Sequence, residues 1–195
     1  NLPIVPITDM KVHKQDLLIA TQGRAFWVLD DLTPLHQLKK PILKRSVYVF
    51  QPRNPYLYEG ARKENLTDMG TNPDYGAVFF YTLKESDSIG LSASILNEAG
   101  ATIREFKKVK GKTGMNKLVW NLRVDSYKGI KGLQVYSGLN GYEVGPGIYT
   151  FQLVFHGDTI RKQFEVLADP RFPFSEEAYS LRTETLSQLK KSIEE

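Results

Sequence analysis

The chain has 195 residues, 26 Lys and Arg against 22 Asp and Glu, and no cysteine. A chain of this length buries roughly 70% of its unfolded surface, so it builds a core without staples. The missing thiols exclude disulfides and thiolate zinc sites, and a net charge of +4, spread along the chain and not gathered into an arm, argues against nucleic acid as a partner.

No apolar run approaches the length of a membrane span, and nothing at the start has the form of a signal peptide. The chain opens directly on Asn1-Leu2-Pro3-Ile4-Val5-Pro6-Ile7, which reads as a piece cut from something longer. Three short strands follow: Ile7 to His13, Leu17 to Thr21 after a polar Lys14-Gln15-Asp16 turn, and Ala25 to Leu29 after Gln22-Gly23-Arg24. Consecutive antiparallel strands with tight turns form a meander, the unit of a propeller blade. Thr33 is placed to cap, and Pro34 to open, a short helix to about Lys40. A sheet this small has a face to cover, so it needs the rest of the chain or a neighbour.

Between Pro41 and Gly76 the prolines and glycines increase, and the segment reads as a connector, with Val47 to Phe50 as a possible strand. From Gly76 the β pattern is dense. Ala77 to Leu83 is apolar on both sides, as in a strand buried on two faces. Leu91, Ala93 and Ile95 alternate with other residues, a turn falls at Asn97 to Gly100, and Ala101 to Phe106 returns. Leu118, Trp120 and Leu122 mark the next strand, and Tyr149 to Phe155, a Gly157-Asp158 turn and Thr159 to Val166 make a hairpin. Turn-joined strands over about 90 residues describe an antiparallel sandwich of immunoglobulin type. Beyond Asp169-Pro170 and Pro173, Ser175 caps a helix with Glu176 and Glu177 in its first turn and a loose stripe of Ala178, Leu181, Leu186, Leu189 and Ile193. The expected architecture is mainly β: terminal blade strands with a short helix over 1–40, a Pro-rich linker over 41–75, an immunoglobulin-like sandwich over 76–170 and the start of a helical segment over 171–195.

The run Ile19-Ala-Thr-Gln-Gly-Arg-Ala-Phe-Trp-Val-Leu-Asp-Asp-Leu-Thr-Pro-Leu35 resembles the closing blade segment of sortilin-like bacterial propeller proteins, often labelled BNR-repeat or glycosyl hydrolase proteins, with a pattern close to A-T-H-G-R-G-F-W-I-L-D-D. Gln22 stands where that pattern has His, and Ala25 where it has Gly. Gly70 to Gly76 and the strands after it look like the region that follows such a propeller. The strand, N-x-x-G turn, strand, W-N-x-R and V-x-P-G-x-Y elements are similar to the immunoglobulin-like domain of flagellar hook-capping proteins. The resemblance implies a fragment of a larger exported protein, whose partner is the rest of its own propeller. The Asp-box repeats of such propellers, S-x-D-x-G-x-x-W in outline, do not occur here.

No set of residues reads as an active site. Asp30 and Asp31 are neighbours on the chain and cannot flank one glycosidic bond, so a turn and helix-start role fits them better. His13, His36 and His156 lack the spacing of a metal set, and neither a metal nor a cofactor is expected. Ser86, Asp87 and Ser88 lack a strand-to-helix elbow around a nucleophile, and the glycines read as turn residues. The long connection from Tyr127 to Tyr142 sets Tyr127, Tyr136 and Tyr142 among glycines, with Asn140 beside them. Flat rings and an amide could stack on a sugar and bond its hydroxyls, and the alternative is that these tyrosines pin the loop. Phe26, Trp27 and Leu29 are the expected docking residues for the missing propeller. The leading expectation is a non-catalytic accessory module, with a glycan-binding module second and part of a glycoside hydrolase third.

Overall fold

In the first forty-five residues the chain turns wherever a residue tolerates a left-handed backbone. The computed structural model describes residues 2, 4–58, 72–87, 89–128, 139–173 and 175–194, and the chain divides into two compact units, 1–45 and 46–195. In the first, β1 (Ile7–His13), β2 (Asp16–Thr21) and β3 (Phe26–Leu29) form an antiparallel sheet in chain order. Lys14, at φ 56, makes the two-residue turn between β1 and β2, and Ala25, at φ 62, swings the chain into β3.

Thr33 is not the cap of the helix that follows. α1 (Thr33–Gln37) starts one residue earlier than expected, with Leu32 at the cap position, and stops three residues short of Lys40. The capping carboxylate belongs to Asp31, which sits at φ 62 and accepts the Thr33 amide at 3.0 Å. Asp16 in turn accepts the Asp31 amide at 2.9 Å, tying the helix start to β2.

The second unit is a sandwich of two antiparallel sheets. One has the order β4-β5-β8, from β4 (Val47–Val49), β5 (Ala77–Leu83) and β8 (Gly114–Trp120). The other has the order β10-β9-β6-β7, from β6 (Leu91–Leu96), β7 (Thr102–Phe106), β9 (Gly147–Phe155) and β10 (Asp158–Val166). The chain crosses between sheets after β5, after β7 and after β8, so the two faces are laced together by their connections.

Packing explains where the sequence pattern holds. Phe79 of β5 stacks on Phe151 of β9 at 4.0 Å between ring centroids, and Phe164 of β10 meets both Phe79 and Trp120 edge-on. Trp120 is fully buried, and its indole N–H donates to the Arg123 carbonyl at 2.8 Å. β5 is not buried on both faces: Ala77, Phe79, Tyr81 and Leu83 point inward, while Val78, Phe80 and Thr82 are half-buried on the outer side. β8 ends at Trp120, and Leu122 reaches the core from a left-handed backbone at φ 57. The β9–β10 turn is His156-Gly157, one residue earlier than expected, since Phe155 pairs with Asp158; both turn residues have positive φ, as a primed turn requires.

Part of the stretch read as a connector belongs to the sandwich. β4 is an edge strand, where prolines close by do no harm to the ladder, and Leu57 and Pro55 bond Leu167 beyond the end of β10. The last element, α2 (Glu176–Glu194), does not face the sandwich with its leucine stripe. Tyr179 packs against the core cluster, Arg182 donates to the Glu143 carbonyl and Lys190 to the Asp125 carbonyl, whereas Leu181, Leu189 and Ile193 are exposed.

Candidate functional site

Registry within the β1–β3 sheet sorts its side chains into two faces. Met10 pairs with Ile19 and Ile19 with Trp27, while Val12 pairs with Leu17 and Leu17 with Leu29. Directly paired residues share a face, so Met10, Val12, Leu17, Ile19, Trp27 and Leu29 form one wholly apolar surface. None of the six is buried, and Met10, Val12 and Leu29 are each about half exposed or more. The opposite face is mixed: Asp9, Lys11 and His13 accompany Leu18, Phe26 and Val28. Phe26, 84% exposed, therefore stands on the other side from Trp27 and Leu29, and the three expected docking residues do not make a single surface. Trp27 is oriented by its indole N–H, which donates to the Arg24 carbonyl at 2.9 Å.

The loop tyrosines occupy a zipped junction. Val124 donates to the Tyr142 carbonyl, Val144 to the Leu122 carbonyl and Tyr127 to the Leu139 carbonyl, closing both sides of the connection into a short ladder. Arg123 adds a bond to the Gly141 carbonyl at 3.0 Å. Tyr142 packs against the core, and the Lys190 ammonium lies 5.7 Å from the centre of the Tyr127 ring. Asn140 is exposed. Tyr136 lies outside the described residues. Next to the junction, Tyr75 donates to a Glu143 carboxylate oxygen at 2.8 Å, and its phenol is held well above the usual range by burial first and by that carboxylate second. Burial also pushes the phenols of Tyr81 and Tyr149 up to about 12.

A third feature was missed because its residues are far apart in the chain. Asp87 Oδ2 lies 2.9 Å from His156 Nε2, beside a cleft of about 420 Å³ that Ser46 and Ser86 also line. An Asp–His pair near hydroxyls invites comparison with a catalytic triad. Here the other imidazole nitrogen faces Gly90, where a Cβ would come within 2.9 Å of Nδ1, so among the described residues no hydroxyl sits where a nucleophile must. Asp87 Oδ1 accepts the Ile89 and Gly90 amides, and His156 donates its own amide to the Gly90 carbonyl. The pair is a staple between two turns. Those two amides, with a smaller contribution from His156, hold the Asp87 carboxyl below its ordinary 3.8. A depressed folded-state pKa stabilises above the unfolded pKa and loses its effect as pH falls. Wild type should therefore be more thermostable than Asp87→Asn near neutral pH, with the two melting curves converging as pH falls below the ordinary carboxylate value of 3.8; curves that stay parallel through that acid range would refute the staple.

Among the described residues, no group of three His, Asp or Glu side chains is placed to hold a metal ion. No described helix is long and apolar enough to cross a membrane. No protein-family model matches the chain, and no curated protein matches it. One solved structure to which it is similar is that of PorZ, an essential bacterial surface component of the type-IX secretion system of Porphyromonas gingivalis, at 16% identity and a TM-score of 0.34. That likeness covers 84% of this chain and 23% of the other, so the chain spans less than a quarter of that protein's length.

Proposed function

We propose that the chain is a non-catalytic accessory module of a larger exported protein, in which the sandwich is a self-sufficient scaffold and the β1–β3 sheet completes a neighbouring β-propeller. The observation that carries this reading is the six-residue apolar face. A contiguous apolar sheet surface with open strand edges on both sides is an aggregation hazard unless something covers it. The resemblance of residues 19–35 to a closing propeller blade supplies the occupant, further blade strands of the same parent chain. It also carries the assignment outside the cytoplasm, while the immunoglobulin type of the sandwich rests on the turn-joined strands and the N-x-x-G, W-N-x-R and V-x-P-G-x-Y elements. The glycan reading at Tyr127, Tyr136, Tyr142 and Asn140 ranks second, because Tyr142 and Tyr127 already spend their rings on the core and on Lys190.

The test uses the 195-residue chain and the triple variant Met10→Thr, Val12→Thr, Leu29→Thr. Wild type should self-associate with rising concentration and bind a hydrophobic dye. The variant should do neither, with the main unfolding temperature displaced by no more than about 2 °C, as for surface substitutions. A wild-type chain that stays monomeric and dye-free removes the docking face and with it this reading.

A further inference from the structure

The basic charge, though gathered into no terminal arm, is densest around one connector of the sandwich. Between Glu98 and Asp125 the sequence carries seven basic residues and one acidic one. This stretch comprises β7, the connector after it, and β8. Lys117 pairs with Asp74 at 2.8 Å, and Arg123 is spent on the Gly141 carbonyl. Lys107, Lys108, Lys110 and Lys112 are exposed, and none forms an ion pair among the described residues.

The connector that carries them is held from beneath. Val109 is buried, the Tyr81 hydroxyl donates to the Lys110 carbonyl, and the buried Asn116 side chain accepts from the Lys112 amide and donates to the Lys112 and Gly114 carbonyls. Lysines on a pinned backbone present their charge without first ordering a loop, which lowers the entropic cost of binding.

Beside the connector is a cleft of about 490 Å³, within the size range of small-ligand sites. One wall is the end of β7 with Arg104, Glu105, Phe106, Lys107 and Lys108; the other is Asp125, Ser126 and Lys128. The Arg104 guanidinium lies over the Phe106 ring, 5.8 Å from its centre. Its contacts to Asp125 Oδ1 and to the Val124 carbonyl are both 3.5 Å long, and its Nε–H is buried with no acceptor among the described residues.

We infer that this cleft binds an acidic oligosaccharide. Four cations answer its carboxylate or sulfate groups, Glu105, Asp125 and Ser126 accept from its hydroxyls, and Phe106 offers an apolar edge to a ring face. The two carboxylates are what separate this partner from a nucleic acid. Duplex DNA carries a charge about every 1.7 Å of its axis and would meet Glu105 and Asp125 at every register, whereas an acidic sugar alternates charge with hydroxyls. The loop tyrosines take no part.

The experiment titrates the 195-residue chain with a hexamer of galacturonic acid, with neutral maltohexaose and hexaglutamate as comparisons. The galacturonate should bind, and raising salt from about 50 to about 300 mM should weaken it several-fold. The variant Lys107→Gln, Lys108→Gln, Lys128→Gln should lose at least about tenfold in affinity with an unchanged melting temperature, since all three side chains are exposed. The proposal is overturned by no binding, by equal binding of the neutral sugar, or by affinity that survives the triple variant. Hexaglutamate binding as tightly as the sugar also overturns it and makes the cleft a surface for acidic peptides.

Discussion

Trp120→Ala is expected to cost about 3–5 kcal/mol, the largest loss from any single truncation in the sandwich. Native domains have only about 5–15 kcal/mol in hand, so the variant should be partly unfolded near physiological temperature. The reason is position as well as size. Trp120 is the last residue of β8, fully buried, and its ring meets Tyr149 and Phe164 of the facing sheet at 5.5 and 6.1 Å. Its N–H holds the Arg123 carbonyl, which fixes the left-handed turn through Leu122, and its own carbonyl lies 2.0 Å from where a Cβ on Gly76 would be. Truncation therefore opens a cavity between the sheets and also frees the junction where β8 leaves its sheet. Trp120→Phe keeps most of the ring contacts and loses the hydrogen bond, so it should cost about 1–2 kcal/mol. Urea unfolding followed by circular dichroism measures both; a loss below about 1 kcal/mol for the alanine variant would mean that the core closes over the gap.

Trp120 also shows how much was legible beforehand. Leu118 and Trp120 recur with a period of two, with Val119 between them, and that period placed them on the inner face correctly, as it did Leu91, Ala93 and Ile95. Alternation is a local signal, and it failed where a distant partner decides burial. The run Ala77 to Leu83, apolar on both sides in the sequence, is half-open on one side because no layer among the described residues covers the outer face of β5 fully. The leucine stripe of α2 carries no signal for which face docks, and the helix lies on the sandwich through Tyr179 and Lys190, whose anchors are a core cluster and a backbone carbonyl far away in the chain. The cationic cleft was hidden for the same reason. Its walls are some twenty residues apart, and only the pairing of Asp125 with β7 brings them together. On the docking side, the choice of Trp27 and Leu29 found one face of the sheet, while Met10 and Val12 come to it through strand pairing, for which the single sequence carries no direct signal.

Gly141→Ala is expected to undo that pairing. A Cβ at Gly141 would lie 2.2 Å from the Val124 carbonyl oxygen and 2.5 Å from that of Asp125, and both obstacles are backbone, so one strand of the junction must move. Overpacking of this kind costs about 1–3 kcal/mol, and each backbone hydrogen bond lost beside it adds about 1 kcal/mol. The bonds at risk are Arg123 to Gly141 and Val124 to Tyr142. The consequence reaches β7, an edge strand that Asp125 protects: its amide donates to the Ile103 carbonyl at 2.9 Å, and its carboxylate accepts the Glu105 amide. With Asp125 displaced, these groups are left open to pair with another chain, which is how exposed edges lead to aggregation. Hydrogen exchange should show the Glu105 and Asp125 amides losing protection in the variant while Ile95 and Phe151, at the centre of the same sheet, keep theirs. If the Glu105 amide stays protected, the edge is guarded by something other than Asp125, and the junction is a link in the chain and not a plug.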